Sequence, residues 1–409
     1  MIKVQDKKEC CGCSACANIC PKKCVKMIED EEGFLYPNVD ETKCIECKLC
    51  IQACPIIHSE KDDSSFSQKG YIVQHINDSI RRESTSGGAF TAIATWIIRQ
   101  GGIVFGAGFR NGTFIVEHQA VDNENELSLF RNSKYVQSSI GDVYQKVKEF
   151  LLLGRWVCFS GTPCQVEGLR CFLRQREYEK LICVDFVCRG VPSPRIFQLY
   201  LDYQSHETGG EFTKVLFRDK FYGYHYSSFS IYNKKESLDY HKGVDTNPYL
   251  RAFFNNLSDR PSCYSCRFKK RYRKSDLTLW DCFNIEKFSK KMDGKGTTRV
   301  LVHSEKGDKL IQSVKMDLRI EQINPDKLTE GVREMFHSVP INPKRKDFFM
   351  ESHSMLPADF FHKWFPITLK VRINALVRLM CHKLGVYSFV KRCFMLIYVR
   401  RDERKSNFK

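Results

Sequence analysis

Two runs of cysteine set the chemistry of this 409-residue chain. Cys10, Cys13, Cys16 and Cys20 are followed by Pro21, and Cys44, Cys47, Cys50 and Cys54 by Pro55, so C-x2-C-x2-C-x3-C-P is written twice at an offset of 34 residues. Three thiolates on one tight loop cover three corners of a four-iron cubane, and the fourth corner needs a ligand from elsewhere. In this spacing the fourth cysteine serves the other cluster. One [4Fe-4S] cluster would take Cys10, Cys13, Cys16 and Cys54, and a second Cys44, Cys47, Cys50 and Cys20. C-x2-C is also a zinc spacing, but zinc requires neither the third cysteine nor the trailing proline. The chemistry is electron transfer.

The chain has 20 cysteines, which leaves twelve outside these runs. Cys158 and Cys183 sit in apolar strand patterns and Cys171, Cys381 and Cys393 in helical ones, where a thiol serves as a small buried hydrophobe. Cys11, Cys24 and Cys282 carry no assignment. Cys164 and Cys188 fall in turns at strand ends, and Cys263 and Cys266 form an isolated C-x2-C after Arg260-Pro261. Four thiolates from three loops can hold a third [4Fe-4S] cluster or a zinc ion, and the spacing leaves both open.

The elements that would position these residues follow in order. Val25–Ile28 and Phe34–Tyr36 flank a turn at Asp30–Gly33, a hairpin between the two cysteine loops. Residues 1–59 are expected to form a two-cluster ferredoxin domain, followed by a polar linker over 60–69. From Tyr71 the pattern becomes α/β. Tyr71–His75 is a strand, and Ser86-Gly87-Gly88 leads into a helix over Ala89–Gln100. That turn is either a phosphate-binding helix start or a plain turn. Gly102–Phe109 and Phe114–Gln119 flank Asn111-Gly112, a hairpin signal. The fragment Gly106-Ala107-Gly108 lies inside that hairpin and is no dinucleotide fingerprint. Ile140–Leu153 is a helix and Trp156–Phe159 a strand. Thr162 caps a helix with Pro163 at its first position. Leu181–Val187 is the next strand, so a parallel crossover is expected.

Composition bounds the rest. The net charge is +17, from 65 Lys and Arg against 48 Asp and Glu, which favours anionic partners: an anionic small molecule, a membrane face or nucleic acid. The run Arg267, Lys269, Lys270, Arg271, Arg273 and Lys274, interleaved with Phe268 and Tyr272, could suit a single strand. No recognition fold accompanies it, so no specific nucleic acid is expected. Beside Cys266, these cations either draw an anionic cofactor or substrate or form a solvated loop. No apolar leader precedes Cys10 and no uncharged run of spanning length occurs. Cysteine-rich without export signals, the chain is expected in a reducing cytoplasm.

Several stretches carry a family resemblance: Ser86-Gly87-Gly88-Ala89-Phe90-Thr91, Ser133-Lys134-Tyr135-Val136-Gln137-Ser138, Gly161-Thr162-Pro163-Cys164-Gln165, Cys188-Arg189-Gly190-Val191-Pro192-Ser193 and Arg260-Pro261-Ser262-Cys263-Tyr264-Ser265-Cys266. Over residues 1–345 the chain resembles the coenzyme F420 hydrogenase/dehydrogenase beta-subunit family with a two-cluster ferredoxin domain in front. The resemblance implies an iron–sulfur flavoprotein oxidoreductase. Its FAD would lie near Ser86, Gly87, Gly88, Thr91, Lys134, Thr162 and Gln165, and electrons would pass between clusters, FAD and an organic substrate. It divides residues 70–150 from 151–345 and implies a redox partner protein or soluble electron carrier. Fused relatives suggest a link to surface polysaccharide synthesis. Arg189 and Asp281-Cys282-Phe283 depart from the family pattern, and no catalytic residue is assigned. Alternatives are an electron-transfer adaptor without a substrate site and a cluster-bearing redox sensor.

Residues 346–409 are expected to form a basic amphipathic helical tail. Trp364, Phe365, Ile367, Leu369, Val371, Ile373, Leu376, Val377, Leu379 and Met380 alternate with Lys and Arg, and a second apolar cluster spans Phe389–Val399. Such a tail either lies in the inner face of a membrane or packs on the main domain. The fold class expected is a small ferredoxin domain, a mixed α/β flavin-binding domain and a helical C-terminal part.

Overall fold

The computed structural model describes residues 1–58, 66–387 and 390. The expected linker lies mostly outside the described residues, as do Cys393 and the second apolar cluster except Val390.

The cysteine loops are joined by the antiparallel hairpin β1 (Val25–Glu29) and β2 (Leu35–Val39), with Val25 opposite Val39. The body is built on an eight-stranded mixed sheet of β3 (Lys69–His75), β4 (Ile103–Phe109), β5 (Val116–Val121), β6 (Val157–Ser160), β7 (Leu181–Phe186), β11 (Leu277–Asp281), β12 (Thr298–Val302) and β13 (Leu318–Ile323). Its order is β13-β3-β12-β11-β7-β6-β4-β5. The inner strands β4, β6, β7 and β11 run parallel. Of these, β4, β6 and β7 are nearly continuous apolar runs, as strands covered on both faces must be. A second sheet of β8 (Phe212–Asp219), β9 (Ser228–Asn233) and β10 (Tyr240–Gly243) is antiparallel throughout.

Helices α1 (Ala89–Arg99), α2 (Val143–Leu152) and α3 (Pro163–Phe172) cover the parallel strands. Thr162 and Gln165 close a capping box at the start of α3, with Pro163 at its first position, as the sequence predicts. Helix α4 (Pro194–Thr208) packs Ile196, Phe197 and Tyr200 into an aromatic core with Phe217, Phe229 and Tyr249.

The cysteine-rich unit shares the core of the body: Cys11, Cys13, Ala15, Ala53 and Ile56 sit in one cluster with Phe105, Val143, Val157, Leu169 and Cys183. Polar ties reinforce the contact. Arg345 forms a two-pronged ion pair with Glu32, at 2.7 and 2.5 Å, and Asn18 Nδ2 donates to the Gly141 carbonyl at 2.8 Å.

The C-terminal segment divides at Pro366. Helix α5 (Pro357–Trp364) buries Phe360 and Phe361 against α4, Phe365 is buried with them, and Trp364 donates to Glu351. Trp364 and Phe365 therefore belong to the body rather than to an exposed apolar face. Helix α6 (Leu369–Lys383) buries no residue. No helix among the described residues is long and apolar enough to cross a membrane.

Candidate redox centre

The 34-residue repeat is a repeat of backbone as well as of sequence. Gly12 and Glu46 both have positive φ, and so do Ser14 and Lys48, which precede the short helices Ala15–Ile19 and Leu49–Gln52. These left-handed residues bend the backbone of each run between successive cysteines. Cys20, Cys44, Cys47 and Cys50 line one small pocket together with Pro21, Lys22, Ile45 and Lys48. In the other group, Cys16 is raised by burial and then by Cys10 and Cys54, and Cys13 feels Cys16 and Cys54. The fourth cysteine of each run thus stands with the first three of the other.

Cys164, Cys188, Cys263 and Cys266 come together around a cavity of about 220 Å3. Each is delivered by a different constraint. The capping box fixes Cys164 on the first turn of α3, Cys188 follows the end of β7, and the single turn Pro261–Ser265 carries Cys263 and ends at Cys266. Cys11 lines the same cavity, a role that its neighbours Cys10 and Cys13 mask in the sequence. Thr162 Oγ1 lies 3.0 Å from Cys164 Sγ. Burial pushes the Cys188 thiol up to about 12, with Cys164 and Cys266 adding to the rise and Lys269 opposing it. Contact with Cys11 and then burial raise Cys164. Buried thiols this crowded become thiolates only against a compensating cation.

The basic run after Cys266 is a strap, not a solvated loop. Lys269 Nζ donates to the carbonyls of Cys188, Arg189 and Glu334. Lys270 pairs with Glu167 at 2.9 Å, Arg271 with Asp326 at 2.5 Å and Arg273 with Asp185 at 3.3 Å. Arg267 donates to the Ile56 carbonyl at 2.8 Å. The strap holds the Cys188 loop, α3 and the cysteine-rich unit in one frame.

Arg260 performs a related task from within. It is fully buried, donates to the carbonyls of Cys10 at 2.7 Å and Leu35 at 2.9 Å, reaches Gln137 Oε1 at 2.9 Å, and lies 4.2 Å from the Tyr36 ring centroid. It ties the first cysteine loop to the turn carrying Cys263.

A much larger cavity, about 1060 Å3, opens at the carboxyl ends of β6, β7 and β11 and shares Cys164, Cys188, Arg189, Gly190 and Val191 with the smaller one. Parallel strands place ligand sites there because their connections diverge at that edge. Eight Lys and Arg against four Asp and Glu line it. Ser86, Gly88, Thr91, Lys134, Thr162 and Gln165 are all on its wall. Lys134 Nζ donates to the carbonyls of Leu129 and Arg131, and burial brings its pKa down to about 7. Gly87 does not line the cavity. Its N–H donates to Thr298 Oγ1 and its carbonyl accepts from His75 N, and a Cβ there would stand 2.4 Å from the Val73 carbonyl. Its glycine serves close backbone approach rather than anion binding. Ser86 Oγ is likewise spent on the Thr297 carbonyl.

Two paired cysteine loops thus stand beside an α/β body with a large cavity, and Cys164 and Cys188 border both that cavity and the smaller one. Residues 9–56 match the 4Fe-4S dicluster domain. Residues 154–327 match the family described as the C terminus of the coenzyme F420 hydrogenase/dehydrogenase beta subunit, so the two matches follow one another along the chain. It is similar to the coenzyme F420-dependent sulfite reductase of Methanocaldococcus jannaschii, 27% identical over 175 residues, which are 41% of this chain and 26% of that protein. The chain thus spans about a quarter of the length of that relative. An uncharacterized ferredoxin of the same organism is 30% identical over 73 residues, 16% of this chain and 94% of the ferredoxin. A structure of the F420-reducing [NiFe] hydrogenase complex from Methanosarcina barkeri aligns with 74% of this chain and 94% of its own at 14% identity and a TM-score of 0.44.

Proposed function

We propose that the chain is an iron–sulfur oxidoreductase that moves electrons between an external carrier and an organic substrate through three [4Fe-4S] clusters and a flavin-type cofactor. The observation that carries this reading is the shared wall of the two cavities. Cys164 and Cys188 border both the space ringed by four thiols and the large cavity where an organic molecule fits.

Cys10, Cys13, Cys16 and Cys54 would hold one cluster, Cys20, Cys44, Cys47 and Cys50 a second, and Cys164, Cys188, Cys263 and Cys266 a third. Thiols set around a cavity suit a multi-iron core better than zinc. When bound, the clusters carry single electrons and a flavin-type cofactor exchanges two with an organic molecule. Lys269 and Arg273, on the wall of the third site, offset thiolate charge. Thr162 steadies Cys164. The cationic wall of the large cavity favours an anionic cofactor or substrate. FAD is the cofactor we assign to it. The names of the relatives carry coenzyme F420, which supports a deazaflavin as the second reading. Nothing in the cavity's chemistry selects a polysaccharide precursor over another anionic substrate.

Anaerobic purification with iron, sulfide, zinc and flavin analysis tests the whole. About twelve iron and twelve sulfide per chain are expected from three cubanes. Replacing Cys263 and Cys266 with Ala should remove about one third of the iron and leave the signals of the other two clusters intact. Loss of zinc instead, or of no metal, would overturn the third site. Titration with FAD and with F420 separates the two cofactor readings.

A further inference from the structure

Helix α6 turns its apolar side away from the protein. Leu369, Ile373, Leu376, Val377, Met380 and Leu384 recur at i, i+4, i+7, i+8, i+11 and i+15, which is one stripe of a helix. All six are between 46% and 73% exposed. The opposite side, with Val371, Ala375, Leu379 and His382, is half-buried. It meets the body where His382 stacks on Tyr226 at 6.0 Å. An amphipathic helix packed by its apolar face would show the reverse. A continuous apolar stripe held outward marks a surface that something covers.

Charge selects the covering. Lys370, Arg372 and Lys383 border the stripe, each next in sequence to one of its residues. From Phe360 to Arg401 the sequence holds nine Lys and Arg and no Asp or Glu. A second copy packed helix on helix would bring these cations against their equals with no acid in either helix to answer them. An anionic bilayer supplies hydrocarbon for the stripe and headgroups for its borders, into which Lys and Arg reach along their own apolar stems. We infer that α6 is an interfacial helix that docks the protein, in the plane of the surface, on anionic lipid membranes. Arg378 and Tyr387 lie on the wall of the large cavity, so docking brings the rim of that cavity to the lipid surface. The inference does not rest on the redox reading.

Flotation of the full chain with vesicles of phosphatidylcholine, alone or with added phosphatidylglycerol, tests it. The protein should float with the anionic vesicles and less so as salt is raised. Replacing Leu376 and Met380 together with Asp should lower its partition at least about tenfold. Both side chains face outward, so iron content and melting temperature should hold. If that variant fails to fold, Lys370→Glu with Arg372→Glu carries the test, with an expected loss of the preference for anionic vesicles. Equal partition of wild type and variants would show adsorption by net charge and overturn the inference. So would wild-type protein that stays unbound, whether monomeric or in a dimer that the Asp pair dissolves, in which case a second copy covers the stripe.

Discussion

Gly12 and Glu46 occupy the same place in the two cysteine runs, with φ of 70° and 52°. The residue types differ because the surroundings do. A Cβ at position 12 would stand 2.7 Å from both Arg260 Nη1 and Gln137 Nε2, whereas Glu46 faces solvent and carries the left-handed conformation at a cost of about 1 kcal/mol. Another residue shows how polar groups are fixed in the interior. His303 accepts from Gln68 Nε2 at Nδ1, 2.9 Å away. Its Nε2 lies 2.8 Å from Thr278 Oγ1, whose own proton goes to Asp185. That arrangement requires the neutral ring. Burial, helped by Arg273 and Arg271, holds its pKa down to about 3, below the unfolded value of about 6.5. The unfolded chain therefore binds the extra proton first. The stability that His303 contributes is present above about pH 6.5 and is lost as pH falls toward 3, by about 1.4 kcal/mol per unit within that window. Asp259, raised by burial to about 7, has the opposite sign over part of the same range, so wild type alone will not report the effect. The difference in unfolding free energy between wild type and His303→Gln will. It should be about 1–3 kcal/mol at pH 7 and shrink by pH 5. A difference independent of pH would place the proton elsewhere.

Helix α3 is where the cysteine-rich unit and the body meet, and Gly168 is the point of contact. An added Cβ there would lie 2.8 Å from Cys13 Cβ, 2.9 Å from Cys13 Sγ and 3.0 Å from the Tyr144 hydroxyl. Alanine in a helix interior is worth about 1 kcal/mol over glycine, whereas overpacking costs about 1–3 kcal/mol. Cys13 sits on a loop fixed from both sides, so the clash should win. Gly168→Ala is expected to lower the melting temperature and the iron content together, as read by thermal unfolding and iron analysis. A rise in melting temperature with full iron would show that the loop yields. Elements of this kind mark how far the sequence could be read. The repeated backbone of the twin runs, the Thr162–Pro163 helix start and the parallel pair β6 and β7 follow from local spacing, and all are found. The pairing of β3 with β12 and β13 joins residues more than two hundred positions apart, which no local pattern encodes. The strap over 267–274 shows its cations in the sequence but not its counter-charges, because Glu167, Asp185 and Asp326 arrive from other elements. Ser86-Gly87-Gly88 carries the composition of an anion turn, yet tertiary contact with β3 and β12 takes up the Gly87 N–H.

At the scale of the whole molecule the three thiol groups are ordered from surface to interior. The group of Cys20, Cys44, Cys47 and Cys50 is outermost: Cys47 is exposed and Ile45 beside it is 56% exposed. The group with Cys13 is packed against β6 and α3, and the third borders the large cavity. A one-electron carrier would therefore meet the protein at the outer group, since electron transfer between proteins needs the centres brought close. Lys22 and Lys48 line that group's pocket and Lys23 follows Lys22, all three exposed and none in an ion pair among the described residues. Unpaired cations around an exposed apolar residue suit an acidic carrier, drawn in by charge and seated on Ile45. With a reduced ferredoxin of acidic surface as donor, the rate of cluster reduction should fall steeply with ionic strength, because the charges involved are exposed and screened. Replacing Lys22 and Lys23 with Glu should slow it about tenfold in stopped-flow absorbance, with iron content unchanged. Reduction by dithionite, a small reagent that needs no docking face, supplies the control. It should keep its rate in the variant to within the small change that local charge makes to a reagent of its size. Equal slowing with both donors would mean that the substitutions had altered the cluster itself. Unaltered rates with the ferredoxin would move the entry point to another face.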